Sequence, residues 1–74
     1  MNMDQEKKTL ENWMKDTLNC GDFKDLAERG HILLNLNQKT WYNYRHGITR
    51  RIPADVASRF NKELIKRNYQ TYEF

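Results

Sequence analysis

Gln38, Lys39, Tyr42, Asn43 and His46 are the residues of this 74-residue chain whose types and spacing best suit a shared chemistry. On a helix of about 3.6 residues per turn they share the face opposite Trp41 and Tyr44. Each carries hydrogen-bonding groups that match base edges or phosphate oxygens, which is what the major groove of duplex DNA requires. Trp41 and Tyr44 read differently. An aromatic pair three apart in an amphipathic helix is usually core, so these two are expected to anchor the helix rather than stack on bases.

Other chemistries find less support. Cys20, His31 and His46 are separated by 11 and 15 residues, which matches no zinc spacing, and no fourth ligand joins them. A thiol nucleophile at Cys20 needs an orienting third group and enclosure. A chain this short buries only about 60% of its unfolded surface, so no deep pocket, no enzymatic activity, no cofactor and no small-molecule ligand are expected. One cysteine makes no internal disulfide.

These side chains must be held by packing alone. Leu10, Trp13, Met14, Thr17 and Leu18 recur at helical spacing and predict a helix over about 4–18, capped by Asp4 and ended by Cys20-Gly21. Asp22 suits the N-cap of a second helix, about 23–34, with Phe23, Leu26, Ala27, Gly30, Leu33 and Leu34 on one face. Gly30 costs that helix roughly 1 kcal/mol relative to alanine, which suggests another backbone approaching closely. Asn35 stands where a left-handed residue ends the helix.

Asn37 can cap a third helix over about 38–46, with Gly47 just past its end. Pro53 fits the first turn of a fourth, about 53–67, whose apolar stripe is Val56, Ala57, Phe60, Leu64 and Ile65. The tail 68–74 alternates tyrosine with polar residues and reads as an extended arm, a frayed end or a dimer contact. With no repeat and no linker, residues 1–74 form one all-α, compact four-helix domain.

Two helices joined by an Asn-containing turn, the second rich in long polar side chains, form the pattern of a helix-turn-helix. The run NQKTWYNYRHG followed by ITRRIP resembles the Cro/lambda-repressor type of helix-turn-helix regulators, which often read Ser-Gln-Ser-Thr-Ile-Ser-x-Trp-Glu-x-Gly and then a proline. The resemblance covers about residues 23–65 and is strongest over 37–53, with Asn35 standing for the usual turn glycine. It implies a lambda-repressor-like fold in which residues 38–46 enter the major groove, N-terminal end foremost. Gln38, Lys39 and Asn43 then become base readers, while Tyr42 meets a thymine methyl or a phosphate. Thr49, Arg50 and Arg51 fall on the loop that lies along the DNA backbone in this family, with Arg45 and His46 joining them on phosphate.

The charge distribution leans the same way. Thirteen basic residues against ten acidic give +3 overall. Residues 1–22 hold three lysines against five acids, whereas residues 48–74 hold six bases against three acids. A basic second half suits a polyanion. No apolar run approaches the roughly 20 residues of a membrane span, and MNMDQEKKTLENW lacks a signal peptide's apolar stretch, so a cytoplasmic protein is expected.

The expected function is sequence-specific binding of double-stranded DNA by a transcription regulator, a repressor of phage, plasmid or prokaryotic operon origin. It would act as a homodimer on a palindromic operator whose half-sites lie about 34 Å apart. Leu18, Phe23, the acidic first helix and the aromatic tail are candidate interface elements. The alternative on the same fold is a protein–protein module, an antitoxin-like or inhibitor subunit. RNA is less suited, because RNA readers usually offer sheet or loop stacking surfaces.

Overall fold

The computed structural model describes residues 9–74. Four helices follow one another, α1 (Leu10–Thr17), α2 (Cys20–Leu33), α3 (Gln38–Arg45) and α4 (Ala54–Lys66). No strand occurs among the described residues. Among the described residues the expected all-helical class and the count of four helices are observed. None of these helices is long and apolar enough to cross a membrane.

The start of α1 and the joint to α2 differ from expectation. Thr9 is extended (φ −69°, ψ 162°), and its hydroxyl accepts the Asn12 N–H at 3.2 Å, so α1 begins at Leu10. Asp4, the expected cap, lies outside the described residues. At the other end Leu18 turns extended at ψ 152° and drives its side chain into the core. Asn19 then caps α2 by accepting the Asp22 N–H at 2.8 Å. Cys20 and Gly21, expected to terminate the first helix, instead form the first turn of the second. Asn19, directly after the buried Leu18, takes the cap expected at Asp22, and that placement sets the joint.

The later boundaries follow one device used three times. Asn35 (φ 58°), Gly47 (φ 74°) and Asn68 (φ 69°) all adopt the left-handed conformation just past a helix. In each case the next residue's N–H reaches back across the last turn: Leu36 to His31 at 2.7 Å, Ile48 to Asn43 at 3.0 Å, and Tyr69 to Leu64 at 2.9 Å. These are Schellman closures, and they satisfy carbonyls that a helix end leaves without partners. Asn35 and Gly47 were legible as such; Asn68 was not. Pro53 occupies the N-cap of α4 rather than its first turn.

Helices α1, α2 and α3 pack pairwise against one another. Helix α4 lays Val56, Phe60 and Leu64 onto a core that also holds Leu10, Met14, Leu18, Leu26, Leu34 and Trp41. Two expected stripe residues face outward. Thr17 is exposed, and Ile65 is 60% exposed on the flank of α4.

The tail is neither a free arm nor a frayed end. The Tyr72 N–H donates to Asn61 Oδ1 at 2.8 Å, and Asn61 Nδ2 donates to the Tyr72 carbonyl at 3.1 Å. The Tyr72 ring stands edge-on to Trp13 and to Phe74, each at 4.8 Å, and Phe74 reaches Phe60 at 5.8 Å. The Tyr69 hydroxyl donates to Asp22 at 2.8 Å and accepts the Asn19 N–H at 3.1 Å. The aromatic residues of the tail are therefore used inside the one chain. Leu18 is buried in the core, and Phe23 is partly buried against it.

Candidate nucleic-acid interface

Helix α3 is fixed by Trp41, its one buried residue. The indole N–H donates to the Leu26 carbonyl on α2 at 2.9 Å, and the ring meets Phe60 at 5.9 Å between centroids. Gly30 is what lets the ring lie so close. A Cβ at that position would stand 2.5 Å from the indole nitrogen and 2.7 Å from its nearest ring carbon. The close approach expected at Gly30 is real, but it comes from a side chain and not from a backbone. Asn37 caps α3 by accepting the N–H groups of Lys39 and Thr40. No acidic residue of α3 itself stands in its first turn.

With Trp41 inward, Gln38 and Lys39 are exposed on the first turn of α3 and Tyr42 is 48% exposed one turn further on. These three line a shallow groove of about 470 Å³ between α2 and α3. Asn43 is half-buried, and its carbonyl accepts the N–H groups of Ile48 and Thr49, which ties the following loop to α3. The His46 ring lies 4.2 Å from that of Tyr42. Thr49, Arg50 and Arg51 are all exposed on that loop.

Arg45 is placed differently from the expectation that it meets phosphate. Its guanidinium pairs with Glu11 of α1 at 2.5 Å and lies 5.7 Å from the rings of both Trp41 and Tyr42. Only 12% of its side chain is exposed. Charge neutralisation and ring contact commit it to joining α3 to α1. His46 Nε2 is 3.9 Å from the same Glu11 oxygen. Sequence reasoning missed this because Glu11 and Arg45 are 34 residues apart.

It also passed over Glu28, which lines the α2–α3 groove beside Gln38 and Lys39. A carboxylate there suits a donor such as the cytosine amino group and opposes a phosphate. The signal was present in the helical pattern, since Glu28 falls between the apolar positions Ala27 and Gly30 on the outer side of α2. Among the described residues no group of three or more His, Cys, Asp or Glu side chains comes together as a metal site.

A second polar cluster holds the two chain halves together away from this surface. Arg67 donates to Asp22 at 2.8 Å and to Asp25 at 2.6 Å. The hydrogen bond from Tyr69, followed by that from Arg67, holds the Asp22 carboxyl below its usual value. Asp25 first, and then Asp22, raise the affinity of Arg67 for its proton against the opposing effect of burial.

Compared with protein-family models, with curated proteins and with solved structures, the chain matches none of them.

Proposed function

We propose that this protein is a small helix-turn-helix regulator that binds double-stranded DNA in a sequence-specific manner, with α3 as its recognition helix. The observation that carries the reading is the two-sidedness of α3. One face is pinned by Trp41 over Gly30, while the other presents Gln38, Lys39 and Tyr42 from the helix start. A short helix pinned this way is a rigid support for base contacts, and its N-terminal turn is the part that meets base edges in such motifs. Arg50 and Arg51, exposed on the loop tied to Asn43, supply cations for adjacent phosphates. Thr49 is exposed on the same loop, and His46 stands at the end of α3 with its ring against Tyr42. Arg45 is left out of the DNA-contacting set because it is committed to Glu11.

The roles separate experimentally. Gln38→Ala lowers affinity for a selected site by about 1–3 kcal/mol and leaves binding to random duplex nearly unchanged. Arg51→Ala weakens binding to every duplex and reduces the salt slope by about one. Titrations of both variants against a selected and a random duplex across several salt concentrations check this. Equal losses on both duplexes for Gln38→Ala remove it from base reading, and an unchanged salt slope for Arg51→Ala removes it from phosphate contact.

A further inference from the structure

A second groove, of about 320 Å³, lies between the end of α2 and the outer flank of α4. It shares no lining residue with the α2–α3 groove. Its apolar part is Leu33, half-buried, and Ile65, which departs from the buried stripe of α4. A single exposed isoleucine needs no explanation. Here it sits in a shallow surface depression with cations around it.

Arg59, Lys62 and Lys66 form that rim. The Lys62 ammonium makes no ion pair or hydrogen bond among the described residues. Lys66 is 73% exposed and only 3.4 Å from Glu63, one turn back on its own helix. Arg59 donates to the Leu34 carbonyl at 3.2 Å and holds Asp55 at 3.7 Å. Glu63, the one anion in the groove, is itself held by Arg67 at 3.6 Å and shared with Lys66. The rim therefore keeps a positive excess over an apolar floor.

That combination selects among occupants. A second copy docking through a two-fold axis sets the same three cations against themselves, which like-charge repulsion opposes. A nucleic-acid backbone gains nothing from Leu33 or Ile65 and meets Glu63. An amphipathic helix with leucine-type anchors and flanking carboxylates uses both the floor and the rim. We propose that the α2–α4 groove docks an acidic amphipathic helix of a partner protein. A seat this small makes the contact weak and transient. It would let a DNA-bound copy hold a second protein through a surface separate from α3.

The test uses the whole chain, isotopically labelled, and a synthetic helical peptide of about 18 residues, about five turns, with leucines on one face flanked by glutamates. Amide shifts on titration are expected at residues 32–33 and 59–66, weakening as salt rises. Ile65→Ser and the pair Lys62→Glu, Lys66→Glu are exposed changes, and each is expected to weaken the peptide at least about tenfold, or about 1.4 kcal/mol. The pair Arg50→Glu, Arg51→Glu is expected to leave peptide binding unchanged while abolishing duplex binding, so the two readings fail separately. Shifts confined to α3, or no shift at millimolar peptide, overturn the proposal. So does a random duplex that moves the same α4 resonances, or a dimer in sedimentation that Ile65→Ser dissolves.

Discussion

Gly30 and Trp41 form the contact that seats α3 on α2. The Trp41 ring occupies the space a Cβ would need, and its N–H reaches past to the Leu26 carbonyl. Gly30→Ala gains up to about 1 kcal/mol of helix propensity but forces the ring to move, with a penalty of about 1–3 kcal/mol from overpacking. A net loss of stability is expected in urea denaturation. In a Trp41→Ala background, itself about 3–5 kcal/mol less stable, the same Gly30→Ala change is expected to be neutral or stabilising. A Gly30→Ala penalty of equal size in both backgrounds contradicts the contact. Half of this was legible in the sequence. Glycine inside a helical pattern signalled a close approach, but nothing local says whether the approaching group is a backbone or an indole eleven positions later.

Asp22 carries a second residue-scale prediction. Its carboxyl is held below its usual value of 3.8, first by Tyr69 and then by Arg67, with Asn19 contributing least. A carboxyl depressed in the folded state stabilises the fold above its unfolded value and loses that contribution as pH falls through the folded value. Stability should therefore decline below about pH 4 in part through this group. Asp22→Asn is expected to be less stable at neutral pH by about 1 kcal/mol and to show a shallower decline on acidification. Thermal midpoints between neutral and acid pH decide it, and an identical slope for both proteins contradicts the role.

Among the elements, α3 and the tail show opposite degrees of legibility. Both ends of α3 follow from single residues, Asn37 as cap and Gly47 as left-handed stop, so its bounds are local information. The tail has no such local code. Tyr69 is fixed by Asn19 and Asp22, Tyr72 by Trp13 and Asn61, and Phe74 by Phe60, partners that lie 11 or more residues away. An aromatic chain end read alone is as compatible with a dimer arm as with a clasp. The same limit hid the Glu11–Arg45 pair, which ties α1 to α3 and takes one arginine out of the candidate site. Removing residues 70–74 uncovers Trp13 and Phe60 and deletes the Asn61–Tyr72 pair of hydrogen bonds. A loss of about 2 kcal/mol or more is expected from chemical denaturation. An unchanged midpoint means that the tail contributes nothing to the fold.

For the molecule as a whole, a small core divides the polar residues into those that hold the fold and those that remain exposed. Arg67, Asp22 and Asp25 hold α4 to α2, and Arg45 with Glu11 holds α3 to α1. Gln38, Lys39, Tyr42, Thr49, Arg50 and Arg51 are left open to solvent on α3 and the loop after it. The basic balance of the second half is legible in the sequence, but it does not separate paired cations from exposed ones, because that depends on long-range pairing.

The most direct test of α3 as a recognition helix is selection from a pool of random duplexes, run on the folded protein at about 0.15 M salt, where non-specific attraction is weakened by screening. The expected result is enrichment of one sequence, lost for the Gln38→Ala, Lys39→Ala double variant. A palindrome with half-sites about 34 Å apart is expected if two copies bind together. Recovery of no preferred sequence, from protein whose folding is verified by its thermal transition, contradicts DNA recognition by α3.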